Sequence, residues 1–253
     1  MREEQSGATQ SIARCFAVLE CVAAMEGGAA LRELAARVGL PKSTVHRLLG
    51  DLMALGYVRQ EGEGGPYRLT ARMFEVGSAS IGRMDLVTLA RPHLERLAGE
   101  LRETVHLVVR DGSDVVYVYK AEAGDLRLSS RLGLRAPMYC TGVGKAILAT
   151  LPYTAAEQAL AAASPRSVTP KTILSWEEMR AQLRLIRARG WAVDDEENEL
   201  GIRCIAVALP GHSGEAEAAF SISGPAARMS DARIEELAKR CLAVQQEILH
   251  GAR

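Results

Sequence analysis

Residues 31–50, LRELAARVGLPKSTVHRLLG, constrain the fold more than any other stretch, because they read as two short helices separated by a tight turn. Leu31, Leu34, Ala35 and Val38 recur at the spacing of one helical face, and the opposite face is charged. Gly39 supplies a left-handed stop. Pro41, whose missing N–H costs nothing at a helix start, opens the second helix. From there Val45, Leu48, Leu49, Leu52 and Leu55 keep the helical period, which leaves Lys42, Ser43, Thr44, His46 and Arg47 on the other face near the helix start. Hydroxyls and free helical N–H groups bond phosphate oxygens, while a long basic side chain reaches phosphates or the N7/O6 edge of guanine. The pattern predicts a recognition helix that enters the major groove of double-stranded DNA.

Neighbouring residues extend this unit. Gly56 fits the position past the helix end, Tyr57 and Val58 begin a strand, residues 61–66 (EGEGGP) form a turn cluster, and Tyr67, Arg68 and Leu69 alternate as a return strand. Together they predict a hairpin wing. Upstream, Ile12, Cys15, Phe16, Leu19 and Val22 have the spacing to pack beneath the helix pair, with Gly27 and Gly28 as the stop. Downstream, Thr70 caps a helix through Phe74, Val76 and Ile81. Helical spacing resumes at Leu86, Leu89, Leu94, Leu97 and Leu101, with a kink or restart expected at Pro92.

A chain of 253 residues can bury two cores, and 48% hydrophobic with 25% charged residues is ordinary globular usage. Basic and acidic residues both number 31, so no global positive field draws the chain to nucleic acid. The case for DNA rests on local charge. Between residues 31 and 50, Arg32, Arg37, Lys42 and Arg47 face Glu33 as the opposing charge. Cys15, Cys21, Cys140, Cys204 and Cys241 are odd in number and scattered, which argues against a disulfide framework or a zinc ribbon and suits a reducing cytoplasm. The first residues carry no apolar signal region and no later run is long enough to cross a bilayer, so a cytoplasmic protein is expected.

Beyond the linking helix the period changes. Residues 106–110 and 115–120 are β-rich and separated by a turn sequence, which predicts a hairpin, and residues 126–131 alternate as another strand. Ser175 with Glu178 reads as a capping box opening a helix to about Arg189. Strands are expected over 191–194, 204–209 and 216–223, and a closing amphipathic helix over 231–249. The fold class is α+β with a mostly antiparallel sheet.

Two clusters carry chemistry in this second domain. The glycines of residues 139–146, YCTGVGKA, invite a nucleotide-binding reading, yet Tyr139 and Ala146 stand where a P-loop needs Gly and Ser or Thr. Ile147 likewise replaces the third glycine of a dinucleotide fingerprint. What remains is a glycine turn opening a helix, whose free N–H groups can hold a carboxylate; a plain structural turn is the alternative. The second cluster is the acidic run 194–199 leading to Cys204, followed by Ser221 and Ser223. Two residues apart in a strand, these serines point to one face. Asp194, Cys204 and both serines could line a polar pocket, although a buried Cys204 and a merely strand-ending Ser223 are the duller alternatives. Two rival readings stay open: an enzyme acting on 2-oxo acids through Cys204, and a metal or redox sensor. No cofactor or metal is expected.

With the LPKSTVHRLL, CTGVGKA, DDEENELGIRC and SISGP motifs in this order, the chain resembles the IclR family of bacterial transcription regulators over nearly its whole length. The resemblance implies a winged helix-turn-helix over residues 1–70, a linker helix over 71–86 and a GAF-like effector domain over 87–253. It implies a repressor that assembles as a homodimer or homotetramer on a palindromic operator. It further implies that small 2-oxo acids bind through Gly142, Asp194, Cys204, Ser221 and Ser223. The run RAPMYCTGVGK is similar to the branch that regulates uptake of 2-keto-3-deoxygluconate and related sugar acids.

Overall fold

The computed structural model describes residues 2–81, 85–123, 128, 130–211 and 214–251. Its contacts divide the chain into two compact units, Met1–Arg83 and Met84–Arg253.

The first unit contains α1 (Arg2–Ala23), α2 (Leu31–Val38), α3 (Lys42–Ala54), a hairpin of β1 (Val58–Gln60) and β2 (Tyr67–Leu69), and α4 (Ala71–Ile81). Leu34 and Ala35 of α2, with Val45, Leu48, Leu49 and Leu52 of α3, close on Val18, Leu19 and Val22 of α1 and on Val58 and Tyr67 of the hairpin. Gly39 ends α2 at φ 69°, a left-handed position that its missing side chain permits, and its N–H reaches the Ala35 carbonyl. Pro41 sits one residue earlier than expected. It is the extended cap before α3 rather than its first helical residue, and its carbonyl accepts from the N–H groups of Thr44 and Val45. Ala29 bridges Tyr67 and so adds a third short segment to the hairpin.

Three apolar residues expected in this core lie outside it. Ile12, Phe16 and Leu55 are 60%, 58% and 57% exposed. Periodicity places them on the correct face of their helices, where with Leu48, Leu52 and Met73 they line one open apolar groove. Phe74 and Val76 of α4 are exposed as well.

The second unit opens with α5 (Asp85–Leu101), which runs through Pro92 without restarting there. One lost backbone bond is outweighed by the packing of Val87, Ala90, Leu94, Leu97 and Ala98, all buried. The strands β3 (Thr104–Asp111), β4 (Asp114–Ala121), β5 (Arg135–Pro137), β6 (Ala192–Asp195), β7 (Ile202–Pro210) and β8 (Ala216–Pro225) form one sheet in the order β5-β4-β3-β8-β7-β6. Every neighbouring pair is antiparallel. Of the strand expected over residues 126–131, residues 126, 127 and 129 lie outside the described residues, and Leu128, Ser130 and Arg131 are not in a strand.

Helices cover both faces. α5 contacts β3 and α9 (Asp231–Gly251) contacts β7, against the strand positions that carry Leu107, Val207, Phe220 and Ile222. On the other face α6 (Gly142–Thr150) lies against β7 and β8, where Ala206, Ala208 and Ala219 leave room for a close approach. α7 (Tyr153–Ala163) and α8 (Trp176–Arg189) complete that layer. Ser175 caps α8 by accepting the Glu178 N–H at 3.2 Å, and its helix ends at Gly190, as the sequence predicts. Sequence reading misses α7, because an alanine-rich segment that buries Ala156 and Leu160 shows no stripe of large apolar residues.

Candidate functional site

The tip of α3 is the first candidate. Lys42, Ser43, His46 and Arg47 are exposed and Thr44 is half-buried, while Val45 between them is fully buried. The apolar side of the helix therefore fixes the polar side outward. No acidic residue stands in the first turn, so the helix N-terminus keeps its favourable field for anions. Arg47 pairs with Asp51 one turn on, at 3.0 Å, with both side chains more than half exposed. That pair is weakly held and readily exchanged for a phosphate. The hairpin carries Glu61 and Glu63; Glu61 engages both Arg59 and Arg68. Its tip is not a basic one.

The second candidate is a cavity of about 160 Å³ in the second unit, and Gly142, Asp194, Cys204, Ser221 and Ser223 all line it. The sheet register brings them together: Asp194 on β6 lies opposite Cys204 on β7, which lies opposite Ser223 on β8. One row further along, Ser221 lies opposite His106 on β3. Side chains two residues apart share a face, so these groups point the same way from four adjacent strands. A bulge at Leu107/Val108 sets Tyr117 of β4 opposite Val108 rather than one position away, which turns its ring into the same wall.

The start of α6 closes the cavity. Thr141 accepts the Gly144 N–H through its hydroxyl at 3.2 Å, leaving Gly142 and Val143 as cavity-lining residues of a first turn whose N–H groups have no acceptor within the helix. Gly144 is needed for contact: a Cβ there would lie 2.2 Å from Met138 Cα, whereas one on Gly142 would meet the Asp194 backbone N and the Ala206 methyl at 3.4 Å, about ordinary contact distance.

Asp194 is 4% exposed and accepts the N–H groups of Glu197 at 2.8 Å and Asn198 at 3.4 Å, so it also shapes the acidic loop. Burial lifts its carboxyl to about 7; Lys145 pulls the value down and Glu197 pushes it up. Lys145, the lysine of the glycine motif, points away from any phosphate role: it is fully buried and ion-paired with Glu197. Burial also raises the Cys204 thiol and the Tyr117 phenol well above their ordinary ranges, and the negative groups nearby add to both. Among the described residues, no group of three or more His, Cys, Asp or Glu gathers as a metal site, and no helix is long and apolar enough to cross a membrane.

Comparison with known proteins decides the family. The IclR helix-turn-helix domain matches residues 11–62, and the C-terminal domain of the bacterial transcriptional regulator IclR matches residues 78–250. The chain belongs to the IclR family. As an IclR-family member it is 36% identical to the transcriptional repressor IclR of Escherichia coli K12 over 246 residues, 96% of this chain and 90% of that one. Identity to the E. coli regulator KdgR is also 36%, over 235 residues, 92% of this chain and 89% of the relative. Equal identities do not separate the two branches. The crystal structure of Thermotoga maritima IclR superposes with a TM-score of 0.79 at 31% identity, covering 96% of this chain and 98% of that one.

These relatives are transcription regulators rather than enzymes, and the chemistry of Cys204 agrees. A nucleophilic cysteine needs its thiolate, whereas burial and acidic neighbours hold this thiol protonated. IclR-family regulators bind DNA and small effectors. Sequence reading of this IclR-family chain found the serine pair through strand parity and the glycine turn through its motif. It missed His106 and Tyr117, which reach the wall through register and a bulge, and it missed the Lys145–Glu197 pair, which joins residues 52 apart in sequence.

Proposed function

We propose that this protein is a transcription repressor whose operator binding is controlled by a small organic acid held in the second-unit cavity. The observation that carries this reading is the convergence of Gly142, Asp194, Cys204, Ser221 and Ser223, distant in sequence, on one cavity. An acid fits it chemically. The carboxylate is met by the first N–H groups of α6, and keto or hydroxyl oxygens by Ser221 and Ser223. The names of relatives, the transcriptional repressor IclR and the repressor AllR among them, support the sign of regulation.

Lys42, Ser43, Thr44, His46 and Arg47 contact the operator. A homodimer presents two such helices to successive major grooves, roughly 34 Å apart or a multiple of it, which suits a palindromic site. The exposed apolar set Ile12, Phe16, Leu55, Phe74 and Val76 supplies self-association surface, since a stripe of this kind is covered in a working oligomer. Residues 71–86 act as the linker between the two functional units. An effector controls such an equilibrium through unequal affinity for two arrangements, each factor of ten supplying about 1.4 kcal/mol.

A thermal-shift screen of 2-oxo acids and sugar acids tests the reading, because a ligand that favours the native state raises its melting temperature. Stabilisation of the wild type that disappears in Ser221→Ala is the expected result. No stabilisation by any acid, or an equal shift in Ser221→Ala, contradicts it.

A further inference from the structure

The β1–β2 hairpin carries an anion site that the chain fills itself. Val58 and Tyr67 are buried and mark the core side of the hairpin, so the residues next to them in each strand, Arg59 and Arg68, point away from it. The register sets these two arginines directly opposite each other. Like charges so placed destabilise a hairpin. Glu61 has the parity of Arg59, and its N–H continues the ladder by donating to the Pro66 carbonyl at 3.0 Å. One carboxylate oxygen, Oε1, then meets both cations, 3.3 Å from Arg59 Nη2 and 2.7 Å from Arg68 Nε.

The frame around this cluster is fixed. Gln60 Nε2 donates to the Gly65 carbonyl at 3.0 Å, and a Cβ on Gly65 would fall 1.7 Å from the Glu61 carbonyl oxygen, so the tip closes only on a glycine. Arg68 lies against the turn that follows α1, where a Cβ on Gly28 would meet its Cγ and Nε at 3.3 Å. Two guanidiniums are thus held at a separation that a single anion spans.

Glu61 neutralises this pair without satisfying it. Among the described residues no acceptor is aligned with Arg68 Nε–H, so its contact with Glu61 is one of charge rather than a hydrogen bond. All three side chains are at least about a third exposed, and ion pairs open to water to this degree are weak. A phosphate offers both guanidiniums several acceptor oxygens in place of one. The hairpin also stands beside the recognition helix: Gln60, Glu63, Gly64 and Gly65 line one cleft with His46 of α3. A duplex seated on α3 passes this tip.

From this arrangement we infer that Glu61 is a built-in competitor for DNA: Arg59 and Arg68 form a site for a backbone phosphate, and the Glu61 carboxylate occupies it until a phosphate displaces it. This rests on the DNA-binding reading above. With Glu61 present the three side chains bring one net positive charge to the duplex; without it they bring two. Sequence-independent binding is almost wholly electrostatic, so the competitor weakens the hairpin's grip on any DNA and leaves a larger share of recognition to α3.

Anisotropy titrations of a labelled duplex of arbitrary sequence, run with the full chain over a range of salt, test the inference without knowledge of the operator. Glu61→Gln binds about three- to tenfold more tightly at low salt, the cost of breaking two exposed ion pairs, and its log–log salt slope steepens by about one. Glu63→Gln removes the same charge from the same hairpin but releases neither arginine, and gains less. In an Arg59→Gln/Arg68→Gln background the gain from Glu61→Gln falls to the level of Glu63→Gln. Should that background lose its thermal transition, Arg59→Gln alone stands in at the more exposed position and reduces the gain. Equal gains from Glu61→Gln and Glu63→Gln, a gain that survives loss of the arginines, or no gain at all overturns the competitor role and leaves the DNA-binding reading intact. A wild type that binds no duplex even at low salt overturns that reading, and this inference with it.

Discussion

The tip of α3 and the cavity wall of the second unit are built from the same kinds of side chain, hydroxyls with one or two charges and a histidine, in opposite surroundings. On α3 a single helix does all the positioning, the groups are solvated, and the Arg47–Asp51 pair exchanges freely with water. In the cavity four strands and a helix start share the work. The groups are buried, and burial moves their proton affinities: Asp194 up to about 7, His106 down to about 3. A surface suited to a polyanion can stay simple and wet. A cavity that must tell one small acid from another fixes every donor and acceptor, at the cost of buried polarity.

This contrast is open to attack at both ends. The largest effect belongs to the buried pair beneath the cavity. Lys145→Met leaves Glu197 buried without its cation and destabilises the protein by about 3–5 kcal/mol, read by urea denaturation. A loss below about 1 kcal/mol would show that this unit tolerates an unpaired charge as the α3 tip does.

Next in size is a pH dependence. An anionic ligand beside Asp194 adds a like charge and raises its carboxyl further, so binding draws in a proton. With the free carboxyl near 7, effector affinity is flat well below that pH and falls by up to about tenfold per unit above it. Calorimetry between pH 6 and 9 measures this, and Asp194→Asn, which mimics the protonated group, flattens the curve.

Smaller again is the loss at the DNA end. Arg47→Ala weakens operator binding about five- to tenfold and reduces the salt slope by about one, leaving effector affinity untouched. Salt-dependent anisotropy titrations report it. The smallest change comes from Asp51→Ala, which alters stability by less than about 0.5 kcal/mol in thermal unfolding because its pair with Arg47 is exposed.

The same contrast explains what the sequence made legible. At α3 the polar tip follows from one period of 3.6 and a Gly–Pro break, so Lys42 through Arg47 can be placed with no knowledge of the rest of the fold. In the cavity, strand parity pairs Ser221 with Ser223, but the reach of His106 and Tyr117 depends on which strands are neighbours and on one bulge. Those are tertiary facts with no local signature. Ile12 and Phe16 fail for the related reason that periodicity names a helix face without saying whether anything covers it.

The central claim joins the two regions: an acid in the cavity changes the grip of α3 on its operator. It is tested most directly by titrating labelled operator with the wild type and with Ser221→Ala, each with and without a stabilising acid. The account predicts equal operator affinity for the two proteins without acid, and a shift on adding acid in the wild type alone. An equal shift in both, or none in a wild type that demonstrably binds the acid, would contradict it.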